Sequence, residues 1–196
     1  MPYNTVKKNR NIRKKIRNTV IVIGLLIILF KTAIYSTLTF YDISQGVNSI
    51  KLEDKILQEQ IDKFILSNQD CSIKQLIKES LKITSNELEF SNNSKTTNPN
   101  ELRLHPKTHC VGYASMTNSL INYGLDKLNK SAYQSNHWKG KIFILGIEIT
   151  GRTGNPFFQD HDYVEITNAR ENIRLRVDPS LYEFSRIGIM NIKYAK

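Results

Sequence analysis

The chain has 196 residues, enough for one ordinary domain with an appendage and for a core that needs no disulfide staples. Its formal charge of +10 suggests a polyanionic partner, but seven cations lie in residues 1–18, where there is no acid. From Asp42 onward, 20 Lys and Arg face all 18 Asp and Glu, so this part carries only about +2. The concentrated basic face of a nucleic-acid-binding domain is therefore missing, and we expect no nucleic-acid partner.

An apolar segment follows the basic cluster, and we interpret residues 1–18 as a basic cytoplasmic tail. Residues 19–30 (TVIVIGLLIILF) carry no charge, and TAIYSTLTFY continues after Lys31. Residues 19–41 reach the roughly 20 residues that a membrane-spanning helix needs, with Lys31 extending toward the headgroups. The sequence thus predicts a single-pass membrane protein whose amino terminus is cytoplasmic and whose C-terminal domain lies outside the cytoplasm. A cleaved signal peptide is the alternative, although no small-x-small cleavage site follows.

Two amphipathic helices are predicted next. In residues 42–70, apolar residues recur at near-helical intervals from 47 to 66, which predicts a linker helix. Ser72 to Ile83 predicts a second helix with Ser72 as its cap, at the start of a domain over residues 71–196. Residues 91–107 (SNNSKTTNPNELRLHPK) are polar and predict a long surface connection. A third helix is expected from Cys110 to about Tyr123, with Gly124 just past its end.

The remainder is typical of strands. KIFILGIEIT (residues 141–150), DYVEIT (162–167) and IRLRVD (173–178) are rich in β-branched residues and alternate, with the turn sequences GRTGNP and NAREN between them. Helices followed by an antiparallel sheet predict an α+β fold.

The first of the two cysteines to be considered, Cys110, stands where a helix begins. The amides and dipole of a helix's first turn favour the thiolate, which is the nucleophilic form. A thiolate also needs an acid for the leaving group, and His161 at a strand start is a candidate. Asp178 ends the predicted neighbouring strand and can orient that imidazole. Cys110, His161 and Asp178 are therefore the candidate catalytic residues.

Three motifs then resemble the transglutaminase-like family. The chain has CVGYA at 110–114, HDYVEI at 161–166 and VDPS at 177–180, in the order in which that family has C-x-G-Y-A, H-[DA]-[WY]-V-E-[IV] and V-D-P-[ST]. The resemblance covers residues 72–184 and has Tyr163 where many relatives have Trp. It implies a papain-like core, in which the helix that carries the thiol packs on an antiparallel sheet.

The resemblance also implies an activity on amide bonds. Cys110 would be the nucleophile, His161 the general base and acid, and Asp178 the residue that orients it. The first step would form an acyl-enzyme, which water or an amine would release, so the enzyme would be a cysteine-dependent hydrolase or acyltransferase. The substrate would be a protein, peptide or cell-wall amide, and we expect no cofactor and no metal. The alternative is a catalytically inactive binding module of the same fold, tethered at the membrane.

Several polar residues near Cys110 keep open roles at this level. The amide of Cys110 would hold the oxyanion with a second donor, for which Asn98, Asn100, His105 and His109 are available. His105 and His109 have a zinc-pair interval, but Pro106 interrupts it and no third ligand is nearby. Asp160 and Asp162, which flank His161, are expected to face solvent, and the alternative is that they raise the pKa of His161. Cys71 is expected to be a buried free thiol, with a disulfide to Cys110 as the alternative.

Overall fold

The computed structural model of the chain describes residues 16–24, 26, 33, 37–45, 49–151, 160–187 and 189–191. It divides into two compact units, residues 1–37 and residues 38–196. The candidate catalytic residues all belong to the second unit.

The first unit does not bear out the predicted membrane anchor. Residues 16–24 are helical and expose apolar side chains such as Ile16 and Val20. Within the part of the chain that the structure describes, no helix combines the length and the apolar character that crossing a bilayer requires. The transmembrane helix predicted over residues 19–41 is therefore wrong, and the single-pass topology and localisation inferred from it are corrected with it. Most of the predicted basic tail, residues 1–15, lies outside the described residues.

The end of the predicted anchor belongs to a strand, β1 (Leu38–Gln45), in the second unit. Its side chains alternate, because Phe40 is buried while Tyr41 is mostly exposed, which is the period of a strand and not of a helix. Phe40 packs on Tyr163 with ring centroids 4.5 Å apart, and its carbonyl accepts a 2.7 Å hydrogen bond from Arg176. The apolar run before Lys31 hid this change of period.

Two capped helices follow. Helix α1 (Lys55–Ser67) lies within the predicted linker helix and buries Leu57 and Ile61 in the domain core. Helix α2 (Ile73–Glu87) has Ser72 as its N-cap, and Ser72 forms a capping box with Gln75. The predicted cap is thus confirmed.

The polar connection before the cysteine contains short regular elements. Strand β2 (Glu89–Phe90) pairs in parallel with β3 (Lys107–Thr108), and helix α3 (Pro99–Leu102) lies between them. Asn98 caps α3 by accepting a hydrogen bond from the amide of Asn100 at 3.1 Å. This pairing brings the chain back to the start of the next helix at a fixed position.

Helix α4 (Cys110–Lys127) is the central helix and packs on α1, α2 and the sheet. It continues through Gly124, which was expected just past its end. A Cβ at that position would lie 2.4 Å from a methyl group of Leu76, so glycine is needed here for close packing of two helices.

The sheet is antiparallel in all its pairings and confirms the α+β prediction. Besides β1 its strands are β4 (Gln134–Ile144), β5 (Ile147–Glu148), β6 (His161–Asn168), β7 (Ile173–Val177) and β8 (Ile189–Asn191). Their order across the sheet is β1-β4-β6-β7-β8, and β5 pairs with β4. The single strand predicted over 141–150 is instead a hairpin that turns at Leu145 and Gly146, both with positive φ. The turn predicted at GRTGNP lies outside the described residues after Gly151.

A short helix, α5 (Pro179–Ser185), follows β7 directly. Val164 and Val177 lie opposite each other in the β6–β7 pair, so the residues just beyond them meet at the same edge of the sheet. This register positions Asp178 next to the start of β6.

Candidate functional site

The site begins at an uncapped helix terminus. Cys110 is the first residue of α4, and His109 occupies the N-cap position without a side-chain hydrogen bond to the first turn among the described residues. The first amides of a helix lack intrahelical partners, and the dipole makes this end positive. The backbone amides around Cys110 therefore stabilise a negative charge at this position.

Close packing fixes the position of this terminus. A Cβ at Gly112 would lie 2.1 Å from Oγ1 of Thr108, a fully buried residue. Thr108 is itself held by Ser94, whose hydroxyl lies 3.0 Å from Oγ1 of Thr108. The glycine of CVGYA thus lets the helix start sit directly on β3.

Cys110 is buried, with 8% of its surface exposed, and its thiol has a lowered pKa. Burial raises this pKa, but hydrogen bonds to His109 and His161 and the charge of His161 lower it by more in total. The charge of Asp162 opposes them. The net effect favours the thiolate.

His161 is held by Asp178. Its Nε2 lies 2.7 Å from Oδ2 of Asp178, which is fully buried. The other carboxylate oxygen accepts hydrogen bonds from the amide of Leu181 and the hydroxyl of Ser180, both at 2.9 Å. Asp178 therefore caps α5 and orients the imidazole at the same time.

The same contacts raise the pKa of His161 well above its ordinary value. Burial lowers this pKa. The charge of Asp178, its hydrogen bond to the ring and the interactions of His161 with Cys110 all raise the pKa, and together they outweigh burial. Because Nε2 is engaged by Asp178, Nδ1 is the ring nitrogen left for the sulfur. A lowered thiol pKa beside a raised imidazole pKa favours a thiolate–imidazolium pair.

The structure thus brings Cys110, His161 and Asp178 together, and their catalytic roles stay predictions. The sequence alone predicted Cys110 at a helix start, His161 at a strand start and Asp178 at a strand end. In the fold these positions lie next to one another, at the ends of α4, β6 and β7.

A small cleft opens beside the sulfur and the imidazole. It has a volume of about 220 Å³. Its lining is mostly apolar, and the residues that contribute apolar walls are Phe90, Ile142, Ile149, Leu181 and Phe184. A reacting group that reaches Cys110 through this cleft would leave bulk water behind.

Asp162 is buried and not in solvent as the sequence predicted. It is 6% exposed, and its Oδ2 lies 3.7 Å from Sγ of Cys110. The expectation that it faces solvent is wrong because the strand face opposite His161 packs on α4 and not on water. Oδ1 of Asp162 lies 2.7 Å from Nε2 of His137. Asp160 is paired at 2.7 Å with the partly exposed Lys139.

Sequence reasoning missed His137 altogether. It lies in β4 between residues of ordinary strand character, and the available signal was a histidine in a strand two residues from a lysine, with no motif around it. Its importance follows only from the β4–β6 register.

The four candidates for a second oxyanion donor now separate. His109 directly precedes Cys110, and its interaction with the thiol raises the pKa of its imidazole. Asn98 and Asn100 are committed to structure, because Asn98 caps α3 and Asn100 accepts a 2.7 Å hydrogen bond from the amide of Glu53. His105 lines a different surface cleft with Leu104 and other residues. His109 is therefore the candidate nearest the sulfur.

Within the described ranges, no group of three His, Cys, Asp or Glu side chains is arranged to hold a metal ion. Cys71 and Cys110 are both free thiols, so no disulfide removes the candidate nucleophile.

Comparisons with known proteins add no family assignment. No family model matches the chain, and neither a curated protein nor a solved structure matches it. The likeness to transglutaminase-like domains therefore rests on the three short motifs.

Proposed function

We propose that the domain over residues 38–196 is a transglutaminase-like cysteine enzyme that acts on amide bonds. The observation that carries this proposal is the set of side chains at the start of α4, in which Cys110 and His161 line one cleft and Nε2 of His161 lies 2.7 Å from Oδ2 of Asp178. Such a set is the arrangement that activates a thiol and supplies the proton for a leaving group.

The first half of the reaction transfers the acyl group to sulfur. The thiolate of Cys110 attacks the amide carbon, a C–S bond forms, and the C–N bond breaks as the imidazolium of His161 gives its proton to the leaving nitrogen. Asp178 keeps the ring oriented and offsets its charge. The products are an amine and a thioester on Cys110.

The second half regenerates the thiolate. Water or an amine attacks the thioester, neutral His161 accepts its proton, and the C–S bond breaks. Water gives hydrolysis and an amine gives acyl transfer.

The developing oxyanion faces the positive end of α4. The backbone N–H of Cys110 is one donor, and His109 is the side chain in place to be the second. Because His109 has a raised pKa, its ring carries a proton over a wider pH range than an ordinary histidine.

The cleft favours a particular kind of amide. Its walls include Phe184, Ile149 and Leu181, and the volume of about 220 Å³ suits a single side chain of leucine or phenylalanine size. The substrate is a protein, peptide or cell-wall amide with an apolar group next to the scissile bond.

A catalytically inactive binding module is the second candidate. The observation that favours it is the small exposed fraction of Cys110, 8%, which fits a thiol that only lines a ligand cleft. A module of this kind would bind an apolar peptide without forming a bond to sulfur.

Trapping the acyl-enzyme decides between the two. The Cys71→Ala protein, which retains a single thiol, is mixed with acetyl-Leu and acetyl-Phe p-nitroanilides and quenched in acid for mass spectrometry. The enzyme should gain the acyl mass on Cys110 and release nitroaniline, while a Cys110→Ala variant should do neither. Binding of these compounds without acylation across pH 6 to 9 would support the binding module instead.

A further inference from the structure

A second histidine–carboxylate pair lies beneath the candidate nucleophile. Asp162 places one oxygen 3.7 Å from Sγ of Cys110 and the other 2.7 Å from Nε2 of His137. His137 is 3% exposed and Asp162 is 6% exposed. Asp162 therefore connects the sulfur to a histidine outside the group formed by Cys110, His161 and Asp178.

The strand register explains how this pair forms. Lys139 lies opposite Asp162, and His137 lies opposite Val164, so His137 and Asp162 are diagonal neighbours on one face of the β4–β6 pair. Diagonal neighbours are within reach of long side chains. This face packs on α4, whose first residue is Cys110.

The surroundings of the pair argue against a purely space-filling role. Val164 and Ile166 continue the same face of β6 as fully buried apolar residues. A buried polar pair that contains a carboxylate is seldom more stabilising than apolar residues of the same volume, because its polar groups lose their hydration. Two polar side chains beneath the sulfur are better explained by what they do to the sulfur.

Asp162 and His137 have electrostatic effects of opposite sign on the sulfur. The charge of Asp162 raises the pKa of the Cys110 thiol, because two anions close together repel each other. The hydrogen bond from His137 spreads part of that negative charge away from the sulfur. The other titratable groups that interact with the charge of Asp162 are His109 and Cys110 at the start of α4 and Lys139 on β4. Lys139 is in turn paired with Asp160.

We propose that His137 and Asp162 are a positioning pair that orients the protonated thiol of Cys110 and sets how readily it ionises to the thiolate. The inference rests on the proposed function for its catalytic meaning. While the thiol is protonated, its S–H group donates to Oδ2 of Asp162. In activation the S–H bond breaks, its electron pair stays on sulfur, and the proton moves to Nδ1 of His161, with no oxidation or reduction.

The test is the pH profile of Cys110 alkylation by iodoacetamide in the Cys71→Ala background. Asp162→Asn removes the negative charge at constant shape, so the midpoint should fall by about one pH unit, or about tenfold faster alkylation below the midpoint. His137→Leu leaves the carboxylate without its donor, so the midpoint should rise by about the same amount. The double variant should follow Asp162→Asn, because His137 acts through Asp162.

Matched controls separate this role from general damage. Asp126→Asn changes an exposed carboxylate at the far end of α4, and His105→Gln changes an exposed histidine that lines another cleft. Both should keep the parent midpoint. If Asp162→Asn and His137→Leu lower the thermal midpoint of unfolding but keep the alkylation midpoint, the pair is only structural and the proposal is overturned.

A second measurement covers the case in which these variants do not fold. The ¹⁵N shifts of the His137 ring are compared at a single pH between the parent protein and Cys110→Ala. Coupling between two sites is reciprocal, so removal of the S–H donor to Asp162 should change the ¹⁵N shift of Nε2 of His137, which lies 2.7 Å from the same carboxylate. An unchanged ¹⁵N shift would overturn the proposal.

These readouts need no substrate. A shifted alkylation profile in a protein that never turns over an amide would contradict the proposed function and leave the pair in place. Amide turnover together with unshifted alkylation profiles would contradict the proposed role of His137 and Asp162 and leave the proposed function standing.

Discussion

The two cysteines of this chain lie at two helix starts and differ in almost everything else. Cys71 directly precedes the cap of α2, and Cys110 is the first residue of α4. Burial raises the pKa of Cys71, with Lys130 as a small opposing influence, whereas the pKa of Cys110 is lowered in spite of burial.

The difference lies in how each terminus is satisfied. At α2 the side chains of Ser72 and Gln75 form a capping box with the terminal amides. At α4, His109 makes no such cap, and imidazoles surround the sulfur. A helix start therefore activates a thiol only where its amides are left open and cationic partners approach, which is a condition that the sequence position of a cysteine does not report.

Removal of one thiol at a time should give the largest difference between the two cysteines. Cys110→Ala should abolish alkylation near neutral pH and all amide turnover, because it deletes the nucleophile. Cys71→Ala should leave both unchanged, since its thiol is buried and protonated at that pH. Rates of iodoacetamide labelling by mass spectrometry measure this. Rapid labelling of Cys71 would contradict a buried, protonated thiol at that position.

Asp178→Asn tests the support behind Cys110. The change keeps a side-chain oxygen for the cap of α5 but removes the negative charge next to His161. Turnover should fall by roughly 10²-fold, because the imidazole loses the partner that orients it and favours its charged form. Circular dichroism should stay the same, and Asp126→Asn is the matched control. Full activity in Asp178→Asn would remove the carboxylate from the mechanism.

The pH dependence of the two thiols should diverge. Cys110 should alkylate with a pH midpoint below that of an ordinary thiol, and Cys71 with a pH midpoint above it.

The free energy of unfolding should also depend on pH, with signs set by the pKa shifts of His161 and Cys110. The raised pKa of His161 contributes stability that is complete below about pH 6.5 and is lost as pH rises through the folded value.

The lowered pKa of Cys110 acts in the opposite direction. Its contribution is present above the ordinary thiol value of about 8.5 and is lost as pH falls through the folded value. Urea denaturation of the parent, His161→Gln and Cys110→Ala proteins from pH 5.5 to 9.5 measures both. Parallel stability profiles for the three proteins would contradict the coupling.

Gly112→Ala should disturb the helix start by a smaller amount. The new Cβ would lie 2.1 Å from Oγ1 of Thr108, so the terminus must shift, at a cost of about 1–3 kcal/mol in the free energy of unfolding. Alkylation of Cys110 should slow as its amides move. Gly24→Ala is the control, because nothing lies within 4 Å of its Cβ position. Equal stability of the two variants would show that the close approach is unimportant.

Phe184→Ala should give the smallest effect. Phe184 lies at the mouth of the cleft with most of its side chain exposed, so its removal should lower kcat/KM for an acetyl-Phe amide by about threefold. The value for an acetyl-Gly amide should not change, and Leu104→Ala, an exposed apolar residue at another cleft, is the control. An equal loss for both amides would place Phe184 outside substrate selection.

Much of the fold could be predicted because local patterns agree with it. Ser72 and Gln75 encode a helix start, and the alternation of residues 162–167 encodes a strand. The three motif residues were found because each marks the end of such an element, and short connections between neighbouring strands keep the ends of β6 and β7 together.

The features that could not be predicted from the sequence depend on contacts between distant segments. The membrane anchor was overpredicted because composition does not show where the helical period ends, and Phe40 and Tyr41 reveal the strand only through their burial. His137 and Asp162 meet through the β4–β6 register, which no single segment specifies. Gly124 ends a helix by propensity, but here the packing of Leu76 against α4 takes precedence.

Asp178 divides its two oxygens between a helix and a ring, so the integrity of α5 and the alignment of His161 share one carboxylate. Fraying of that short helix would release the side chain and misalign the imidazole while the sheet and the long helices remained folded. On heating, the protein should lose reactivity at Cys110 several degrees before its secondary structure melts.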